Sequence, residues 1–150
     1  MKIVDSYSPL DMEDIRRVEG KLGFNIPEEY RDFLLRNNGG KPIPNAVKYE
    51  GEYFDYVACF YGARFNTYAD DIFRNVEEYN EYILPHYLPI ADSPSGNVYC
   101  LSLKSTDFGA VYCWDHETAN YGGEPWEENM IKLAGSLNEF FAGLYNEQST

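Results

Sequence analysis

Pro27-Glu28-Glu29-Tyr30-Arg31-Asp32-Phe33-Leu34-Leu35-Arg36-Asn37-Asn38-Gly39-Gly40 carries the chemistry of both ends of one helix. Pro27 suits a first helical position, because its φ is pre-set for the helix and its missing N–H would have no partner there. Glu28 and Glu29 fall in the first turn, where the positive end of the helix dipole favours them. Tyr30, Phe33, Leu34 and Asn37 recur at i, i+3, i+4 and i+7, so they share one face, and that face must be buried. Asn37 is the polar member, and its amide is expected to bond backbone of the following loop, since a buried unpaired amide costs about 1–3 kcal/mol. Asn38-Gly39-Gly40 supplies residues that accept the left-handed conformation that closes a helix. Ile26 in the cap slot departs from the usual small polar residue, so packing of the preceding loop is expected to hold this end.

Working outward, Ser8-Pro9-Leu10-Asp11 reads as a helix start with Ser8 as N-cap. Ile15, Val18 and Leu22 form that helix's apolar face and Gly23 ends it. The short link Phe24-Asn25-Ile26 then requires the two helices to pack on each other or on a common sheet. Residues 41–51 read as a loop with room for one edge strand, and Tyr56 to Tyr61 as a short apolar strand. A third helix is expected from Asp70 to about Ile83, burying Ile72, Val76, Tyr79 and Ile83 and setting Asp70, Glu77 and Glu81 on the opposite face.

Beyond Pro85 the period changes. Leu88 to Ala91, Asn97 to Leu103 and Gly109 to Trp114 form an antiparallel meander with hairpin-length connections. Asp115 to Asn129 has no periodicity and carries Asp115, Glu117, Glu124, Trp126, Glu127 and Glu128 without a lysine or arginine. Ser136-Leu137-Asn138-Glu139 is a capping box that opens a last helix, with Phe140, Phe141 and Leu144 at helical spacing. Asn146 to Thr150 are expected to fray. The sum is one α+β domain over 1–150: an antiparallel sheet, made of the meander 88–115 and an earlier strand, packed with an N-terminal helix pair, a middle helix and a C-terminal helix.

At 150 residues the chain has the length of one domain, able to bury roughly 70% of its unfolded surface. No apolar run approaches the ~20 residues of a membrane span, and the N-terminus has no signal-peptide stretch, so a soluble, cytoplasmic protein is expected. Cys59, Cys100 and Cys113 lie in apolar or alternating runs without ligand spacing and read as buried free thiols. Residues 1–48 hold eight basic and eight acidic side chains, and residues 49–150 hold four and seventeen, so the whole net charge of −13 comes from the second part. Such a field repels phosphate and anionic membranes and accelerates association with a basic protein. Fourteen tyrosines, dense at Tyr49, Tyr53, Tyr56, Tyr61, Tyr68, Tyr79, Tyr82 and Tyr87, are of the kind enriched at interfaces. A purely solubilising role for the acids stays open here.

Catalytic chemistry finds little support. His86 and His116 are the only histidines, and neither has a partner at metal-ligand or acid–base spacing. Gly39-Gly40 and Gly122-Gly123 lack the spaced glycines and lysine of a phosphate loop, and the Ser93 to Asn97 stretch is ordinary turn chemistry. No catalytic residue, metal or cofactor is expected.

Several segments together resemble one family. Val18-Glu19 with Leu22-Gly23, Ile26-Pro27-Glu28-Glu29-Tyr30-Arg31-Asp32-Phe33-Leu34 to Asn38-Gly39-Gly40, Leu88-Pro89-Ile90-Ala91-Asp92 with Gly96-Asn97, Gly109 with Val111-Tyr112 and Trp114-Asp115, and Ala134 with Ser136-Leu137 and Phe140 are similar in order and spacing to the SUKH superfamily, in the branch of the yeast Smi/Knr cell-wall-assembly regulators and many bacterial immunity proteins. The match is loose over 41–60 and 116–130. The resemblance implies an α+β fold without catalytic residues that binds and neutralises a basic protein toxin, in many cases a nuclease of a contact-dependent or polymorphic system. The alternative is a regulatory scaffold domain like the eukaryotic members. The partner surface is expected at Asp70, Glu77, Glu81, Asp115, Glu117, Glu124, Trp126, Glu127 and Glu128, within an acidic, Tyr-rich area. Pro27, Tyr30, Phe33, Leu34, Asn37, Gly39, Gly40, Pro89, Gly96, Trp114 and Phe140 are expected to be core and turn residues.

Overall fold

The chain's architecture comes from a computed structural model, which describes residues 1–66 and 68–147. In chain order the elements are β1 (Lys2–Val4), α1 (Met12–Leu22), α2 (Glu28–Arg36), β2 (Lys41–Ile43), β3 (Ala46–Tyr49), β4 (Glu52–Tyr56), β5 (Cys59–Phe60), α3 (Ile72–Glu78), β6 (Tyr87–Asp92), β7 (Val98–Ser102), β8 (Val111–Trp114), β9 (Met130–Ala134) and α4 (Leu137–Gly143). Strands β5-β6-β7-β8-β9 form one antiparallel sheet in that order, and β1-β2 and β3-β4 form two antiparallel pairs. The architecture is α+β, with the meander at its centre.

Alternation along the meander explains why its strands read as nearly continuous apolar runs. Tyr99, Leu101, Val111 and Cys113 face the main core, whereas Val98, Cys100 and Trp114 face a second cluster on the other side. A sheet covered on both faces has no polar register to show. The helices cover the first face: Ile15 and Val18 of α1, Tyr30, Phe33 and Leu34 of α2, Ile72 of α3, and Leu137 and Phe140 of α4 share one core with the sheet. Pro89 lies in β6 next to a register shift between Pro89 and Ala91, where the short β5 reaches only Ala91 and Asp92; such an irregularity tolerates a residue without an N–H.

The helix ends refine the expected boundaries. Helix α1 starts at Met12, not at Pro9, because Asp11 and Asp14 cap each other's backbone N–H groups reciprocally at 2.9 Å. Gly23 closes α1 in the left-handed conformation at φ 89°. Pro27 is the N-cap of α2 and Glu28 its first helical residue, and the Ile26 N–H is held by the Glu19 carboxylate at 2.8 Å as well as by packing. In α4, Ser136 accepts the Glu139 N–H at 3.1 Å, but the Glu139 carboxylate takes the N–H of Gly135 and not of Ser136.

The largest correction concerns Asn37. It caps α2 in an extended conformation, φ −144° and ψ 110°, so the helical period ends before it and its side chain leaves the buried face. The buried amide is Asn38: its Nδ2 donates to the carbonyls of Ser8 (2.9 Å) and Ala63 (3.1 Å), and its Oδ1 accepts the Ala63 N–H at 2.8 Å. Gly39 and Gly40 adopt φ 70° and 125°, but they do so beyond the cap. There they let three segments touch: a Cβ at Gly39 would lie 2.8 Å from Phe60 O, and one at Gly40 2.6 Å from Val4 O.

Residues 41–51, expected as a loop with room for one edge strand, contribute two strands, since β2 finds a partner in β1 and β3 in β4. The stretch from Tyr56 to Tyr61 is divided between β4 and β5, because Val57 and Ala58 turn away to bond Asn45 and Asp92. The fifth sheet strand, β9, follows the acidic loop and was not expected. Cys100 and Cys113 are buried, Cys59 is half-buried, and all three are free thiols. Of the stretch Asn146 to Thr150, expected to fray, residues 148–150 lie outside the described ones, and Glu147 accepts the Tyr145 hydroxyl at 2.7 Å.

Candidate functional site

The second face of the sheet is covered by irregular chain, and the acidic residues gather there. Helix α3 stops at Glu78, seven residues long, instead of running to Ile83. The chain turns back at once, with the N–H groups of Tyr82 and Ile83 bonding the Tyr79 carbonyl at 3.0 and 2.9 Å. This turn is fastened to the sheet by Trp114, whose indole N–H donates to the Tyr82 carbonyl at 3.2 Å. The Trp114 ring packs against Tyr79 and Tyr82 at centroid distances of 5.7 and 6.4 Å, and Tyr121 closes the group 5.5 Å from Tyr82. Aromatic contact therefore brings the turn beside the loop after β8.

That loop has a built-in shape. Asp115 accepts the Glu117 N–H at 3.0 Å and so starts a single turn of 3₁₀ helix over His116–Thr118. The Tyr121 hydroxyl donates to the His116 carbonyl (2.9 Å), Asn120 to the Glu124 carbonyl (2.8 Å) and the Trp126 indole to the Thr118 carbonyl (3.2 Å). At its base Asn129 donates to the Asp115 carbonyl at 2.9 Å. Absence of periodicity here reflects side-chain-to-backbone bonding in place of a ladder.

The expected partner residues divide accordingly. Glu81 and Glu124 face one open groove, lined also by Tyr82, Leu84, Pro85 and Pro125. Glu77, Glu117 and Glu128 are exposed, and Trp126 is 37% exposed. Asp115 is engaged in capping the 3₁₀ turn. Asp70 lies ahead of the α3 N-cap Asp71, half-buried and 3.5 Å from Arg64. Because α3 begins after Asp70 and ends before Glu81, these two and Glu77 do not share one helix face.

Glu127 is tied down. Its carboxylate bonds His86 Nε2 at 2.6 Å and accepts the Tyr87 hydroxyl at 2.6 Å. Burial alone would raise its pKa, but the hydrogen bonds from Tyr87 and His86 outweigh burial and hold it below the ordinary glutamate range. The chain of contacts continues: Lys104 Nζ donates to Tyr87 (3.1 Å) and Tyr112 (3.3 Å), Tyr112 donates to Asp107, and Lys132 pairs with Asp107 at 3.5 Å. The two lysines of the second half are thus consumed internally.

A second polar cluster sits at the β6–β7 turn. Buried Asp55 accepts Ser95 Oγ at 2.6 Å and Asn97 Nδ2 at 3.1 Å, while Asn97 Oδ1 receives the His116 backbone N–H (3.1 Å) and faces His116 Nδ1 at 2.7 Å. Serine, histidine and aspartate are all present, but His116 faces an amide and Ser95 donates straight to the carboxylate. No base is set against a nucleophile, so the cluster positions the turn. Asp55 escaped the sequence reading; its place between Phe54 and Tyr56 in a run of aromatics was the available signal of burial. Among the described residues no group of three His, Cys, Asp or Glu could hold a metal ion, and no helix is long and apolar enough to cross a membrane.

The Tyr-rich middle also divides. Tyr61 and Tyr87 are buried, the Tyr61 hydroxyl without a partner among the described residues, while Tyr49, Tyr53, Tyr68 and Tyr82 are exposed. Surface tyrosine therefore remains, in smaller number than the sequence promises.

Two comparisons with known proteins bear on this arrangement. A model of the SMI1 / KNR4 family (SUKH-1) matches residues 9–143. The SPbeta prophage-derived uncharacterized protein YokK of Bacillus subtilis (strain 168) is 24% identical over 153 aligned residues, which cover 90% of this chain and 74% of that protein.

Proposed function

The chain belongs to the SMI1 / KNR4 family (SUKH-1), and from that premise we propose that it is a cytoplasmic immunity protein that binds and neutralises a basic protein toxin of the nuclease class. The observation that carries this reading is the surface built by the end of α3, the 79–85 turn and the 115–129 loop. It offers Glu77, Glu81, Glu117, Glu124 and Glu128 with Tyr82, Tyr121 and Trp126, and between Asn75 and Leu103 the sequence has no lysine or arginine. None of these five glutamates has a Lys or Arg nitrogen within 4.0 Å among the described residues. A nuclease must present cations to phosphate, so an acidic inhibitor gains both encounter rate and complementarity. Inhibition requires only that a site be covered, which suits a surface of fixed acids and aromatics and needs no reacting group.

Co-expression with a candidate toxin tests this. Glu77→Lys with Glu81→Lys, and Glu124→Lys with Glu128→Lys, are expected to abolish protection of the cells while leaving the fold intact. Full protection by both variants would sink the acidic-surface reading.

A further inference from the structure

Beside the acidic groove lies an apolar cleft of about 180 Å³, lined by Phe24, Val76, Ile83, Leu84 and Leu88 among others. Asn80, Leu84 and Pro85 line both the cleft and the groove that holds Glu81 and Glu124. The ridge formed by the 80–85 turn thus has apolar walls on one side and carboxylates on the other. Both walls of the cleft are anchored: Trp114 bonds the ridge through the Tyr82 carbonyl, and Phe24, in the short link between α1 and α2, packs against the main core.

We propose that this cleft and groove form one two-part docking site. It takes a lysine- or arginine-rich segment of the partner protein across the ridge, seating one apolar side chain of that segment in the cleft and a neighbouring cation between Glu81 and Glu124. The assignment rests on the toxin-binding reading above and names the epitope that reading leaves open. Charge chooses the occupant: an acidic rim repels an acidic or phosphorylated segment, and a second copy of this chain would bring its own net charge of −13 against the same field. The cleft supplies what charge cannot. A desolvated pocket for one anchoring side chain is where binding energy concentrates at interfaces, and the surrounding carboxylates contribute steering and register.

The test uses the full chain with labelled methyl groups, observed by NMR at physiological salt. It is titrated with a short lysine-rich peptide bearing one central leucine, with the same peptide bearing serine at that place, and with a counterpart in which the lysines are glutamates. The methyl signals of Val76, Ile83, Leu84 and Leu88 are expected to shift with the leucine peptide. Serine at that place should weaken binding by about tenfold or more, the worth of burying one leucine, and the glutamate peptide should not bind. Leu84→Asn, a change at a half-buried ridge position, should weaken the leucine peptide to the level of the serine one. Equal affinity for the leucine and serine peptides, shifts confined to other parts of the chain, or concentration-dependent shifts without peptide, as a second copy in the cleft would give, each overturn the proposal. The two readings fail separately. Full protection from toxin by Leu84→Asn, with protection lost on charge reversal, removes the cleft alone; cleft binding without any toxin neutralised removes the immunity reading alone.

Discussion

The side-chain carbonyl of Asn38 accepts the backbone N–H of Ala63 at 2.8 Å, across twenty-five residues of sequence. The same amide donates to the Ser8 and Ala63 carbonyls, so one side chain joins the N-terminal segment, the end of α2 and the strand-to-helix passage after β5. Asn38→Ala would orphan three backbone groups at once, the two of Ala63 being buried, and is expected to destabilise the protein by about 2–4 kcal/mol. Asn37→Ala, one residue away and outside this node, should change stability by less than about 0.5 kcal/mol. Urea denaturation of the pair separates them; equal midpoints would refute the assignment.

The glycines beside Asn38 give a graded series. At Gly39 a Cβ would meet backbone of both Phe60 and Gly62 at 2.8 Å, with φ at 70°. At Gly23 the φ is 89° but nothing lies within 4 Å. Gly23→Ala therefore carries only the conformational cost, about 1 kcal/mol, whereas Gly39→Ala must also move the β5 backbone and should cost about 3 kcal/mol or more. Thermal melts that rank them the other way would show that the node yields.

Asp92 makes stability depend on pH. Burial, and then the neighbouring Asp70 charge, push its carboxyl up to about 6. A carboxyl whose folded pKa lies above its unfolded value of about 3.9 adds stability below the unfolded pKa and loses it as pH rises through the folded one. The group is partly exposed, so the penalty at neutral pH is about 1–2 kcal/mol after allowance for solvent screening. Asp92→Asn should thus raise the melting temperature at pH 7 to 8, with the gain shrinking as pH falls through about 6 and gone near pH 4. A pH-independent difference would place the cause elsewhere.

Glu127 behaves in the opposite sense. Its depressed pKa means that its tie to His86 and Tyr87 is present above the ordinary glutamate range and is lost as pH falls below it. The carboxylate is half exposed, so Glu127→Gln should cost less than about 1 kcal/mol overall. The sharper readout is local: backbone amides of 116–130 should exchange faster in the variant while those of β7 keep their protection.

Association with the toxin should slow as salt is raised, because exposed carboxylates steer the encounter and are screened over about 8 Å at physiological ionic strength. Stopped-flow association rates at low and high salt measure this; a flat dependence would remove the electrostatic basis of the proposed function.

What was legible in the sequence follows from where local chemistry decides structure. The apolar face of α2 and the three meander strands could be read because period and turn residues are strong there. Asn37 misled because helical spacing extrapolates past a cap that only the fold imposes. Strands β1 to β4 are three to five residues long, with Pro42 inside β2 and Pro44 just after it, and β1 and β2 exist by virtue of each other across the length of two helices. Met130–Ala134 shows no clean alternation, with Lys132 flanked by two apolar residues on each side; it follows fifteen aperiodic residues and its ladder depends on β8. The acids of the candidate site were all identifiable by type. Their grouping was not: Glu81 meets the groove of Glu124 only because α3 ends at Glu78 and the chain folds back on Trp114.

The bonds within the 115–129 loop bear on how fast and how selectively it can act. Its shape is set when the chain folds, so a partner meets a finished template instead of a fluctuating segment that must be ordered on contact. Recognition of that kind resembles a key cut in advance: small changes in the template's side chains alter which partner fits, while the sheet that bears it stays the same.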